Sequence, residues 1–309
     1  YPEFGVIVIY DRSADDCDDT LKLLEDKYPN LYHTFIPDSA RYISHKKLGI
    51  TMGIKASRHE WLVFTEPNCR PQSNQWLKQM ARNFTPATEI VLGYSNYEKV
   101  PGWLNKKITF DTLLNSMRYL GMALSGHPYM GTGRNLAYRK TLYYKQKGFA
   151  SHLNLQRGED DLFINETAHA HNTRVETGSD SLMRIAMPKY KKIWCEEKIS
   201  YAATSRLFKG TARYIMGFET CSRLLFYAAI IATIVISILL HQWTTLGIAI
   251  LLWAARFVMQ LIVFRKTAQA FGERKFCALL PVFDFLQPIW NGVFKLQRKL
   301  RRKNEFMRK

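Results

Sequence analysis

Glu66 and Asn68 stand two residues apart in Phe64-Thr65-Glu66-Pro67-Asn68-Cys69-Arg70-Pro71. Two oxygen-bearing side chains at that spacing on a turn can both reach one hard cation that phosphates already hold. Farther along, Gly158-Glu159-Asp160-Asp161-Leu162-Phe163-Ile164-Asn165 sets three carboxylates before the apolar pattern of a helix. Crowded carboxylates repel, which raises at least one pKa toward the range useful for taking a proton from a hydroxyl. The pair Lys46-Lys47 offers point charges suited to a diphosphate. Each feature also has a plainer reading: a turn that ends a strand, acids that favour a helix N-terminus, and solvated lysines.

Positioning these groups requires strands that end beside them. Glu60 to Phe64 is an apolar run that reads as a buried strand, so Glu66 and Asn68 fall at the C-terminal edge of a sheet, where open α/β sheets bind ligands. Phe4 to Tyr10 (FGVIVIY) is rich in β-branched residues and fits a strand covered on both faces, with Asp11 at its end. Asp11 and Ser13 follow that strand; Asp15 and Asp16 read as helix N-caps. His33 to Ile36 and Glu89 to Tyr94 read as further strands. Helices are expected over 42–57, 72–84 and 105–124, the second with Trp76, Leu77, Met80 and Phe84 on one face. The alternation argues an α/β fold.

In order along the chain, these segments resemble the motifs of the membrane-bound family 2 glycosyltransferases, a group that includes cellulose and hyaluronan synthases. Residues 64–71 resemble "FTDADCxP", with Glu66 and Asn68 in place of both aspartates. Asp11 matches the second aspartate of "VDDxSxD". Lys46, Gly49 and Gly53 match "KGxALNxG", with Thr51 in place of the asparagine. Gly131-Thr132-Gly133-Arg134-Asn135-Leu136-Ala137-Tyr138-Arg139 resembles "GxGxNLAYR", and the segment from Gly158 to Asn165 is close to "GDDxxxxN".

The resemblance implies an α/β, GT-A nucleotide-diphospho-sugar transferase fold with a mostly parallel sheet, extending over most of the chain, and with a first strand expected to be missing ahead of Tyr1. It implies inverting sugar transfer from a nucleoside-diphosphate sugar to a glycan or lipid-linked acceptor. Asp160 would be the general base. Asp11, Lys46 and Glu66 would bind the donor, and a weakly held Mg2+ or Mn2+ would sit at Glu66 and Asn68. Gly133, Asn135, Glu159, Asp161 and Glu197 would lie on the acceptor and diphosphate side, Asn135 facing a ligand. One departure is large. Where the family carries Gln-x-x-Arg-Trp, this chain has Glu197, Ser200 and Tyr201, so the arginine that would hold the diphosphate is absent. A catalytically impaired scaffold or binding subunit is therefore the alternative expectation.

The chain has 309 residues and a net charge of +18. Such a charge points to nucleic acid, anionic lipid or phosphorylated ligands. Eight basic residues and one acid, Glu305, lie between Lys295 and Lys309, next to apolar segments, which fits an anionic membrane surface. No zinc-finger, RNA-binding or homeodomain pattern is present, and no nucleic-acid partner is expected. The five scattered cysteines have no metal-ligand spacing and read as free thiols in a reducing compartment.

Leu224 to Leu240 is free of charge, and Leu246 to Phe264 is interrupted only by Arg256 and Gln260. Together they read as a transmembrane hairpin, with Arg256 facing protein or a polar cavity because a charge in lipid is costly. Basic residues flank both outer ends and the linking loop has none. The positive-inside rule then places both ends, and the catalytic domain, in the cytoplasm; the resemblance implies that the membrane is a bacterial inner membrane. Residues 277–294 carry Asp284, Pro281 and Pro288 and read as an interfacial or re-entrant segment. The resulting division is a catalytic domain over 1–204, an interfacial amphipathic segment over 205–223, the hairpin over 224–264, and an interfacial segment with a basic tail over 265–309.

Overall fold

The computed structural model describes residues 3–11, 17–37 and 44–300. Ser13, Asp15, Asp16 and the basic tail beyond Leu300 lie outside the described residues. Strand β1 (Val6–Asp11) pairs in parallel with β2 (Leu31–Ile36) across helix α1 (Cys17–Lys27). Helix α2 (His45–Ala56) starts at Ser44, whose hydroxyl accepts the Lys47 N–H at 3.2 Å. It packs closely on β1: a Cβ on Gly53 would lie 2.8 Å from Ile9 Cδ1, and one on Gly49 would lie 3.4 Å from Ile9 Cγ2 and from Ile36 Cδ1. The absence of side chains at these two positions lets α2 sit between the β1–β2 pair and the rest of the domain.

Strand β3 (Trp61–Phe64) leads through the Glu66 turn into the short β4 (Cys69–Pro71) and helix α3 (Trp76–Ala81). Strands β5 (Ile90–Gly93) and β6 (Ser95–Tyr97) precede the long helix α4 (Trp103–Leu124). Strand β7 (Leu136–Arg139) and helix α5 (Lys140–Lys145) follow, then helix α6 (Asp161–Thr167), strands β8 (Thr173–Glu176) and β9 (Met183–Ile185), and helix α7 (Lys191–Thr204). Among the described residues the sheets are β1-β2, β3-β7-β5-β8 and β4-β9-β6. The α/β architecture is as expected, but the expectation of a mostly parallel sheet is corrected. Strand β7 runs antiparallel to both β3 and β5, and β4 runs antiparallel to β9, so the sheets are mixed.

All of β5 is buried, and its Ile90 and Leu92 join Leu136, Tyr138, Phe110, Leu113, Tyr119 and Phe163 in the main core. Burial of this many large apolar side chains is the dominant favourable term for the domain. Tyr119 donates to the Gly93 carbonyl at 3.0 Å, so the buried hydroxyl has a partner. Cys69, Cys195, Cys221 and Cys277 are free thiols.

After α7 come two 28-residue apolar helices, α8 (Ala212–Leu239) and α9 (Trp243–Ala270). Each spans about 42 Å at 1.5 Å per residue, more than the hydrocarbon core of a bilayer. Leu225, Ile231, Val235, Leu251 and Met259 on them are exposed. A core helix of a soluble protein would bury such a surface, so the pair suggests membrane association. Helix α8 begins at Ala212, so residues 212–223, expected as part of a separate interfacial segment, are its first turns. The hairpin is rooted in the domain: Phe264 of α9 stacks on Phe110 of α4 at 5.3 Å.

Helix α10 (Leu280–Leu300) lies against α4, α7 and α8 and contains Pro288. Its buried Asp284 accepts from Arg223 at 3.1 Å, Tyr227 at 2.7 Å, Arg256 at 3.2 Å and Gln260 at 2.9 Å. Arg256 thus faces protein, as its position in an apolar segment requires. Lys198 of α7 pairs with buried Asp111 of α4 at 2.6 Å, and Gln287 of α10 reaches the same carboxylate at 3.4 Å. These polar ties join α10 to the apolar pair and to the α/β domain.

Candidate active site

Gly158 opens the acidic segment with φ +111°, a conformation that L side chains rarely adopt, and a Cβ there would lie 2.6 Å from Leu162 Cδ1. The turn it allows buries Glu159, Asp160 and Asp161 at the start of α6. Asp160, 6% exposed, caps the helix, its Oδ1 accepting the Asp161 N–H at 2.8 Å. Its Oδ2 accepts the Gly133 N–H at 2.9 Å and the Tyr201 hydroxyl at 3.3 Å. Burial, and then the neighbouring Glu159, push the Asp160 carboxyl above its ordinary value. Glu159 goes the other way: burial opposes its ionised form, but Lys46 outweighs it and holds the pKa down. Asp161 is turned away from the turn. It accepts from the Leu162 N–H and from the Thr204 hydroxyl on α7, and burial followed by Asp160 raises its pKa well above the ordinary value.

Lys46 Nζ lies 2.7 Å from Glu66 Oε1 and 2.9 Å from Glu159 Oε1. Arg134 Nε lies 3.0 Å from Glu66 Oε2, and its Nη2 lies 2.7 Å from Glu197 Oε1. Tyr97 donates to the other Glu197 oxygen at 3.1 Å, and the Arg134 guanidinium stands over the Tyr97 ring. The result is one continuous line, Glu159–Lys46–Glu66–Arg134–Glu197–Tyr97, drawn from six separate segments. Burial raises the Glu66 carboxyl, but Lys46 and then Arg134 outweigh it and hold it at about 2. For Tyr201, burial and then Asp160 raise the pKa well above the ordinary value, so the phenol remains a donor. Arg157 also interacts electrostatically with Tyr201, Glu159, Glu197 and Asp160.

Most of the residues expected from sequence meet here. Lys46, Glu66, Glu159, Asp160, Gly133 and Glu197 share one site. Asp11, at the end of β1, is 2.7 Å from His45 Nδ1, next in sequence to Lys46. Lys47 points elsewhere: it is buried and donates to the His152 and Leu155 carbonyls, and burial lowers its pKa to about 8. The expectation that Asn135 faces a ligand is corrected. It is buried, its amide nitrogen donates to the Tyr94 and Ser181 carbonyls, and its oxygen accepts the Trp76 indole N–H at 2.9 Å. A Cβ on Gly93 would lie 2.4 Å from its side chain, so Asn135 braces the β5–β7 end of the sheet. The residue that sequence reasoning passed over is Arg134. It occupies a variable position of its motif, and its pairing to Glu66 and Glu197, both distant in sequence, leaves no local signal.

The divalent cation expected at Glu66 and Asn68 does not fit these groups. Both Glu66 oxygens are committed to Lys46 and Arg134. Asn68 is exposed, and its oxygen accepts the Cys69 thiol at 3.6 Å. Among the described residues no group of three His, Cys, Asp or Glu side chains is arranged to hold a metal ion.

No curated protein matches the chain. A mannosyltransferase from Pyrobaculum calidifontis, solved in complex with GDP-Man and Mn2+, is similar in fold, with a TM-score of 0.53 and 16% identity over 96% of this chain and 78% of that one. A mannosyl-3-phosphoglycerate synthase from Rubrobacter xylanophilus matches with a TM-score of 0.36 and 10% identity, over 68% of this chain and 76% of that one. The description "Glycosyl transferase family 21" matches residues 1–294, nearly the whole sequence. With its GT-A fold and its pair of long apolar helices, this chain belongs to glycosyl transferase family 21.

Proposed function

We propose that the chain performs inverting transfer of a hexose from a nucleoside-diphosphate sugar to a hydroxyl of a lipid-linked or glycan acceptor at the cytoplasmic face of a membrane. The observation that carries this reading is the environment of Asp160. Its pKa is raised by burial and by Glu159, and its Oδ2 is held by the Gly133 N–H and the Tyr201 hydroxyl. A carboxylate held in this way and shifted toward neutrality suits a general base. It takes the acceptor hydroxyl proton while the acceptor oxygen bonds to the anomeric carbon and the bond from that carbon to the diphosphate oxygen breaks. Lys46 and Arg134 stand where negative charge grows on the departing diphosphate.

The membrane face follows from charge. Arg206, Lys209 and Arg213 precede the apolar part of α8, and Arg265, Lys266, Arg274 and Lys275 follow that of α9, while the connection between the two helices has no Lys or Arg. Both outer ends are then cytoplasmic. Helix α10, amphipathic and basic at its end, lies along the lipid surface. A membrane-anchored base favours an acceptor that is itself held at the membrane.

The double pairing of Glu66 and the serine at position 200 favour a second reading, a non-catalytic binding subunit that keeps the fold. One experiment separates the two. UDP- and GDP-linked hexoses are supplied to the chain in lipid vesicles, and both nucleotide release and donor binding are measured for the wild type and for Asp160→Asn. Release by the wild type that is lost in the variant supports the transferase. Binding without release in both supports the binding subunit, and no binding in either removes both readings.

A further inference from the structure

Resting on the donor-binding reading above, we infer that Lys46 and Arg134, anchored on opposite oxygens of Glu66, bind the donor diphosphate without a metal ion, and that Glu66 is the placeholder the diphosphate displaces.

The geometry of a single carboxylate leads to this assignment. A carboxylate that ligates a metal must present at least one oxygen to it. Each Glu66 oxygen already faces a cation, an ammonium 2.7 Å from Oε1 and a guanidinium 3.0 Å from Oε2, so a divalent ion on either would stand against a fixed positive charge. A carboxylate gripped between two cations has the shape and charge of the ligand those cations would otherwise hold. A phosphate offers the same pattern of acceptor oxygens, and both guanidinium and ammonium groups recognise it. Lys46 is the accessible member, with 39% of its side chain exposed. Its ammonium has three hydrogens, of which Glu66 and Glu159 take two. Arg134 forms the floor, 8% exposed, and is held by Glu197 while it holds Glu66.

Electrostatics agree with the geometry. Burial works against the charged form of Lys46, but Glu159 and then Glu66 outweigh it and raise its pKa, so it is a fixed cation. Arg134 likewise stays charged: burial opposes the charge, and Glu197, Tyr97, Tyr201 and Glu66 together outweigh it. Asn68 is neutral and exposed, and contributes no ionic ligand. The placement also accounts for Ser200. Arg134 reaches Glu197 from the loop before β7, so a guanidinium stands beside α7 although position 200 of that helix carries none.

The test is isothermal titration of UDP and of GDP into the 309-residue chain in nanodiscs, once with EDTA and once with Mn2+. For the nucleotide that binds, affinity is expected to be the same in both conditions. Arg134→Ala and Lys46→Ala each weaken binding by about tenfold or more, the loss of a charge-assisted hydrogen bond, and Mn2+ does not restore it. Arg134→Lys, which keeps the charge, retains more binding than Arg134→Ala. Glu66→Gln is decisive and keeps the shape of the side chain. A placeholder predicts that this variant binds at least as tightly as the wild type in EDTA, because the competing carboxylate is gone. Tenfold tighter binding of the wild type in Mn2+, abolished by Glu66→Gln, would overturn the metal-free assignment while leaving donor binding intact. No binding of either nucleotide under either condition would remove both.

Discussion

The Tyr201 hydroxyl on α7 donates to Asp160 Oδ2 at 3.3 Å, the same oxygen that accepts the Gly133 N–H at 2.9 Å. A helix close to the membrane hairpin therefore touches the atom proposed to take the acceptor proton. Donors aimed at a carboxylate oxygen favour its ionised form, while burial and Glu159 oppose that form. The balance between them sets the pH at which Asp160 can act.

Asp160→Asn keeps the shape and removes the basicity. Turnover is expected to fall by roughly 10²–10⁴-fold, the range of a lost general base. Donor affinity stays within a few-fold of the wild type, since Asp160 does not bind the donor. Nucleotide release and titration calorimetry on the same preparation check both halves. Equal turnover in the two proteins would remove Asp160 from the base role.

The pH dependence has a definite sign. Asp160 must be deprotonated to act and its pKa is raised, so activity should climb with pH along an acid limb displaced above that of an ordinary aspartate. Glu159→Gln removes the neighbouring negative charge and should move that limb to lower pH. Tyr201→Phe removes a donor to the ionised form and should move it to higher pH. Profiles of kcat/KM for the three proteins measure the shifts, and parallel shifts in both variants would contradict the arrangement.

Gly158→Ala places a Cβ 2.6 Å from Leu162 Cδ1 at a position with φ +111°. The strain is expected to cost about 1–3 kcal/mol, and relief requires the acidic turn to move. Both the melting temperature and the turnover should fall, whereas Gly210→Ala, where nothing lies near the added Cβ, should lower the melting temperature with little effect on turnover.

Asp284→Ala leaves Arg223 and Arg256 without their shared carboxylate. Breaking a buried pair from one side costs about 3–5 kcal/mol, because the surviving charge stays buried. Thermal unfolding in nanodiscs should show a large loss. A change no bigger than that of an exposed charge would mean that the cluster is hydrated.

Much of the site was legible because each segment carries its own signal. Glu66 follows a strand, the Glu159–Asp161 triplet precedes a helix, and the resemblance supplied their order. Pairing across the chain was not legible. Arg134 meets Glu66 and Glu197 only after β3, β7 and α7 are in place, and no local pattern encodes that contact. Asn135, next to it, is expected to face a ligand because the resemblance puts its motif beside the acceptor and diphosphate. Its amide instead completes hydrogen bonds that the sheet end leaves open. Strands β4, β6 and β9 have three residues each, too few for a periodic pattern to register. The resemblance implied a glycosyltransferase of GT-A fold, and the matching family, 21, and the fold agree with it.

Thr204, which donates to Asp161, is the last residue of α7, and α8 starts at Ala212. Even a fully extended chain covers no more than about 30 Å between those two residues. With α8 in the bilayer, the acidic turn hangs on a short plumb line from the lipid surface. On the proposed reading an acceptor would then be sorted by altitude as well as by chemistry, a hydroxyl flush with the headgroups meeting Asp160 more readily than one raised on a long spacer.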